Sequence, residues 1–210
     1  MKKEFWVVLF LLLIFSSKIL AQFGVKIGIN EANEVITSSN LSTPIEKPTL
    51  QNLTAYHIGV IYQYTSKIGL GFDIGTSFSQ KGCFLQSDSI CDIYRELNYI
   101  EIPFNIRYRL SWGIIGIYGF GGLYGAYLLK GQKITETNTS SIPEKFSYTN
   151  FNDRTDYGYT FGGGIEIFKK IQLEANWNKG LKENIYYTNS DTQIFTTKNN
   201  VFSFNLTFIF

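Results

Sequence analysis

Residues 201–210 read V-F-S-F-N-L-T-F-I-F. Phe202, Phe204, Leu206, Phe208 and Phe210 recur at every second position, with Ser203, Asn205 and Thr207 between them. A period of two is that of an extended strand with one apolar and one polar face. Five large apolar groups on one side of a terminal strand are costly in water. In a closed barrel within a bilayer, lipid covers that face and the first strand covers the edge.

Working back from this strand, the same alternation predicts seven more. The eight segments are residues 23–30, 54–64, 68–80, 97–110, 114–129, 156–168, 171–179 and 200–210. In the fourth, Ile100, Ile102, Phe104, Ile106 and Tyr108 oppose Glu101, Pro103, Asn105, Arg107 and Arg109. In the sixth, Tyr157, Tyr159, Phe161, Ile165 and Ile167 oppose Gly158, Thr160, Gly162, Gly164 and Glu166. The first and fifth are broken by glycine and carry a weaker signal. Short connections at 65–67, 111–113 and 169–170 alternate with long ones at 31–53, 81–96, 130–155 and 180–199. That asymmetry predicts an all-β, eight-stranded antiparallel transmembrane β-barrel with short periplasmic turns and long extracellular loops.

A soluble lipocalin-like barrel has the same alternation with its faces exchanged. Its outer face would be rich in Lys and Glu, whereas the polar positions here are mostly Gly, Ser, Thr and Asn. The apolar positions also carry two aromatic groups. Tyr64, Tyr108, Trp112, Phe208 and Phe210 lie toward the short turns, and Tyr56, Phe78, Tyr99, Tyr157 and Trp177 toward the long loops. Two bands bracketing an aliphatic middle match the girdles at the lipid–water boundaries.

At the other end, Met1-Lys2-Lys3-Glu4 precedes an unbroken apolar run over residues 5–15 and a small residue at Ala21. This predicts a secretory signal peptide over residues 1–21 and a barrel domain over 22–210, exported to the outer membrane of a Gram-negative bacterium. Cleavage removes Lys2, Lys3, Lys18 and Glu4 and leaves the chain formally neutral, so a nucleic-acid partner is not expected. Charged residues are 17% of the chain, below the roughly 25% of soluble domains, as a lipid-wetted surface requires.

Parity sends Asp73, Glu101, Arg107, Arg109, Glu166 and Glu174 inward. Eight strands leave an interior that side chains can fill, and a buried charge must be paired. The six are therefore expected to form an ion network that plugs the lumen; a proton or ion path is the rival reading. Cys83 and Cys91, the only two cysteines, share one long loop and are expected to form a disulfide in an oxidising compartment. His57 is the only histidine. Antiparallel pairing would place Ser77 or Gly75 opposite it, and a Ser–His pair would suggest a lipid-active enzyme, but no third orienting residue is evident. No enzyme, cofactor or metal is expected.

Several stretches resemble the outer-membrane β-barrel domain family common in Bacteroidota, which includes PorT-like proteins alongside OmpA-like eight-stranded barrels. They are G-V-K-I-G-I-N at 24–30, Y-I-E-I-P-F-N-I-R-Y at 99–108, F-G-G-G-I-E at 161–166, L-E-A-N-W-N-K-G-L at 173–181 and the aromatic C-terminus. The resemblance covers nearly all of residues 22–210. It implies insertion by the barrel-assembly machinery, with Phe204, Leu206, Phe208 and Phe210 as the assembly signal, and contact with outer-membrane lipid. It also implies a structural or interaction role through the extracellular loops, or membership of an envelope or protein-secretion complex as in the PorT branch. A lipid-active barrel enzyme and a narrow channel are the remaining alternatives. The family carries no shared catalytic residues.

Overall fold

The computed structural model describes residues 21–39, 50–86, 91–137, 140–145, 154–187 and 194–210. Of the expected signal peptide, all but Ala21 lies outside them. The elements are β1 (Ala21–Ser39), β2 (Leu50–Gln51), β3 (Leu53–Thr65), β4 (Leu70–Gln86), β5 (Cys91–Trp112), β6 (Ile115–Thr137), β7 (Ser140–Lys145), β8 (Thr155–Ile167), β9 (Ile171–Gly180), β10 (Asn184–Tyr187) and β11 (Ile194–Ile209). Eight of these form an antiparallel wall in the order β1, β3, β4, β5, β6, β8, β9, β11, and β1 pairs back onto β11. The barrel is closed. Short β2, β7 and β10 extend the wall by pairing with β4, β6 and β11.

Closure runs from Gly24 opposite Ile209 to Asn30 opposite Ser203 and beyond, so the C-terminal strand and the glycine-broken first strand zip along their full length. Three tight turns join the strands at one end. In the β8–β9 turn, Phe168 and Lys169 both have positive φ, at 55° and 58°, and the Lys170 amide donates to the Ile167 carbonyl at 3.1 Å. This is type I′ geometry, whose twist matches that of the strands it joins.

The alternation falls as expected. Phe204, Phe208, Phe104, Ile106, Ile58 and Val60 stand exposed on the outside, while Ser203, Asn205, Thr207, Asn105, Arg107 and Gln63 are buried inside. The aromatic bands are largely present. Tyr108, Trp112, Phe208 and Phe210 are exposed at the turn end, and Tyr56, Tyr157 and Trp177 toward the other. Tyr64 is buried, its ring 5.6 Å from that of Phe72. Tyr99 departs from the expectation. It shares parity with Glu101, so it turns inward and packs with Leu97, Tyr124, Ala126 and Leu128. A register shift in the β5–β6 pairing lies between Asn98 and Tyr99.

Much of what reads as long loop is strand. β1 continues to Ser39, β4 to Gln86, and the β5–β6 pair runs from Trp112 opposite Ile115 up to Cys91 opposite Thr137. The expected Cys83–Cys91 bridge involves a side chain, that of Cys91, outside the described residues. Cys83 is a free, buried thiol, on the ladder opposite Arg95.

Two inward tyrosines sit in space that glycines leave open. A Cβ on Gly164 would press first on the Leu173 carbonyl oxygen and lie 2.7 Å from Tyr118 Oη, and one on Gly158 would press on the Lys179 carbonyl oxygen and lie 2.8 Å from the Tyr124 ring. By contrast, a Cβ on outward-facing Gly119 would have no neighbour nearer than 3.8 Å. Gly164→Ala is therefore expected to displace Tyr118 and cost about 1–3 kcal/mol of stability, as overpacking does. Gly119→Ala serves as the near-neutral control. Urea titration of the folded protein in micelles, followed by tryptophan fluorescence, compares the two.

Candidate functional site

The chemistry-bearing side chains converge on the barrel interior, which is arranged in layers. Nearest the turns, Arg109 Nη1 lies 2.7 Å from Glu166 Oε1. Gln172 Nε2 donates to Glu166 Oε2 at 2.8 Å and to Gln63 Oε1 at 2.9 Å. The next layer centres on Glu174. Lys26 Nζ is 2.8 Å from its Oε1, Asn205 Nδ2 donates to the same oxygen at 2.8 Å, and the Tyr118 hydroxyl donates to Oε2 at 3.2 Å. Arg107 is almost completely buried and stacks its guanidinium 4.1 Å from the centre of the Tyr118 ring. Asp73 Oδ1 accepts from Asn105 Nδ2 at 2.7 Å.

Above this lies a cavity of about 50 Å³, its wall including Lys26, His57, Ser79, Glu101, Asn105 and Asn205. Such a space is large enough for water, and the Oδ1 atoms of Asn105 and Asn205 offer acceptors toward it. His57 Nδ1 donates to Asn30 Oδ1 at 2.8 Å, and Ser203 Oγ donates to the same oxygen at 2.8 Å. Asn30 Nδ2 donates to Ser79 Oγ at 3.2 Å. The residue opposite His57 is Ser79, two positions from the expected Ser77, because strand stagger cannot be read from alternation. The histidine is held by an amide oxygen and joined to a hydrogen-bonded network with Asn30, Ser79 and Ser203.

Toward the long-strand end, Lys81 Nζ lies 2.6 Å from Glu101 Oε2 and 3.7 Å from Asp156 Oδ2, with the Tyr124 ring centre 4.3 Å away. Higher still, Glu34 Oε2 accepts from Arg95 Nη1 at 3.2 Å and from Thr197 Oγ1 at 2.8 Å.

All six residues expected inside do face the interior, but they do not form one mutual network. Arg109 pairs with Glu166, while Glu101 and Glu174 take lysines as partners. Arg107 is in ion-pair contact with no carboxylate among the described residues and uses an aromatic face instead. Three further interior charges, Lys26, Lys81 and Asp156, lie outside the six expected. Lys26 and Asp156 share the inward parity of their strands. Lys81 fell one residue beyond the predicted end of its strand, and a longer β4 would have recovered it.

Residues 15–186 match the outer membrane protein beta-barrel domain. The chain belongs to that family. Solved members of the outer-membrane barrel class are similar to this family member at low identity. OprG from Pseudomonas aeruginosa is 9% identical with a TM-score of 0.49, over 90% of this chain and 96% of its own. Ail, the attachment invasion locus protein of Yersinia pestis, is 12% identical with a TM-score of 0.42, over 90% and 99%. Neisserial surface protein A is 12% identical with a TM-score of 0.43, over the same shares. Among curated proteins, none matches this outer membrane β-barrel chain in sequence.

Proposed function

We propose that this protein is a non-enzymatic integral outer-membrane barrel whose work is done outside its lumen, by the long-strand end and the loops it carries. The observation that carries this reading is the filled interior. Arg107, Lys81, Gln63, Gln172 and Thr207 are all fully buried across successive layers, beside a cavity of only about 50 Å³. The His57 surroundings favour a structural role over catalysis. The reading calls for outer-membrane lipid around the wall and for the barrel-assembly machinery during insertion, acting on the Phe204–Leu206–Phe208–Phe210 face. It also calls for an envelope or secretion-complex protein as the functional partner. Export through the 1–21 leader to a Gram-negative outer membrane belongs to the same proposal.

Two measurements test it. Purified barrel in planar bilayers is expected to give no unitary current steps; reproducible single-channel openings would move the function into the lumen. In parallel, chemical crosslinking in intact cells followed by gentle solubilisation should capture a discrete partner. Capture should be lost when the segment between β4 and β5 and that between β6 and β8 are shaved by protease from outside. Capture that survives shaving would place the contact on the lipid-facing wall or the turn end.

A further inference from the structure

Lys81 is the one lysine among the described residues that is completely buried. Its ammonium touches two carboxylates that come from different strands, Glu101 on β5 and Asp156 on β8. Around them stand Leu97, Tyr99, Tyr124, Ala126 and Leu128, an apolar cluster inside an otherwise polar barrel. The Tyr99 and Tyr124 ring centres are 5.3 and 4.3 Å from Nζ. The two carboxylates are not equivalent. Asp156 Oδ2 accepts from Asn199 Nδ2 at 2.9 Å and from the Tyr124 hydroxyl at 3.4 Å, while its Oδ1 has no partner. Glu101 Oε2 is the group nearest the amine.

In water, an amine and a carboxylic acid remain a solvated ion pair. Here solvation is absent, which lowers the cost of the neutral amine–acid pair relative to the charged one. The fold also fixes the two groups against each other, replacing an encounter in solution by a pre-oriented contact. We propose that Lys81 and Asp156 condense into an isopeptide bond, with Glu101 carrying the proton. Glu101 takes one proton from the Lys81 ammonium and hands it to Asp156 Oδ1, so that the freed Nζ lone pair attacks the Cγ of a neutral acid. Negative charge gathering on Oδ2 is met by the donors Asn199 Nδ2 and Tyr124 Oη, as in an oxyanion hole. Glu101 then takes a second proton from the nitrogen and delivers it to the Oδ1 hydroxyl, the C–Oδ1 bond breaks and one water leaves. An ammonium and a carboxylate thus become one secondary amide and one water, with charge and atoms balanced and no oxidant required. Glu101 also lines the cavity below, which gives the water somewhere to go. The bond would span the lumen from β4 to β8, strands that are not neighbours in the wall.

Peptide mapping of the folded barrel decides it. Protein purified from outer membranes, shown folded by heat-modifiable migration, is reduced, alkylated and digested with trypsin. The expected product is a branched peptide joining the Lys81 and Asp156 segments, one water lighter than the two together, with no cleavage after Lys81. Linear peptides carrying unmodified Lys81 and Asp156 from folded protein would overturn the proposal and leave a plain ion cluster. Glu101→Gln is expected to slow linkage by about a hundredfold or more, the usual weight of a positioned proton carrier; linkage at the wild-type rate would remove Glu101 from the chemistry. If that variant does not fold, wild-type protein expressed as inclusion bodies supplies the second readout. The branched peptide should be missing in urea and accumulate only after refolding into micelles. A linear product at all times after refolding overturns the bond.

Discussion

Glu174→Ala is expected to lower the unfolding free energy of the barrel by about 3–5 kcal/mol, the cost of removing one partner from a buried ion pair. Glu174 is the hub of its layer. It receives Lys26, Asn205 and Tyr118 through its two oxygens. Without it, the Lys26 ammonium loses its counter-charge, and two buried donors lose their acceptor. Arg107 lies in the same layer and is held by an aromatic face, and Asp73, the other carboxylate of the layer, is already taken up by Asn105. Glu174→Gln keeps the shape and an acceptor for Tyr118 but not the charge, and is expected to fall between wild type and alanine. Denaturant titration in micelles reads all three. An alanine variant with the wild-type midpoint would mean that water, not the carboxylate, satisfies these groups, and that the interior is wetter than its burial indicates.

Phe104→Arg tests the outer face. Phe104 lies between Ile74 and Leu123 on the ladder, with its ring against that of Phe72, and has lipid on its free side. An arginine there is expected to cost about 2–4 kcal/mol when unfolding is measured from lipid vesicles, against about 0–1 kcal/mol for Trp112→Arg at the boundary near the turn. The difference between the two sites is the diagnostic quantity. A water-washed face would accept both changes equally, and equal costs would reverse the assignment of inside and outside.

How far these features could be read in the chain differs from one to the next. Alternation is local, so the outward Phe204 and Phe104 and the inward Arg107 and Glu166 could be placed from their neighbours alone. The stagger between strands is not local. His57 faces Ser79 rather than Ser77 because the β3–β4 register depends on the whole hairpin, and the two-residue difference leaves the pattern of faces unchanged. By residue type Tyr99 belongs with the lipid-facing aromatics, but its parity with Glu101 points inward, where an apolar cluster receives it. The partners of the interior charges depend on which side chains meet across the lumen. Lys81 meets Glu101 from the next strand and Asp156 from β8, three places round the wall. Lys81 was also hidden by ending β4 at Gln80, where the Lys81-Gly82 pair reads as a turn; the strand passes through it with Gly82 at φ 145°.

The height of the β5–β6 ladder has a mechanical consequence. Its 22-residue first strand, at about 3.3 Å per residue and inclined as barrel strands are, rises roughly 30 Å past a hydrocarbon layer of about 25 Å. A hydrogen-bonded ribbon of that length is a stiff mast, not a tether. Whatever its tip touches is met at a fixed standoff from the bilayer, and shortening the ribbon by whole ladder steps would lower the point of contact without altering the membrane anchor.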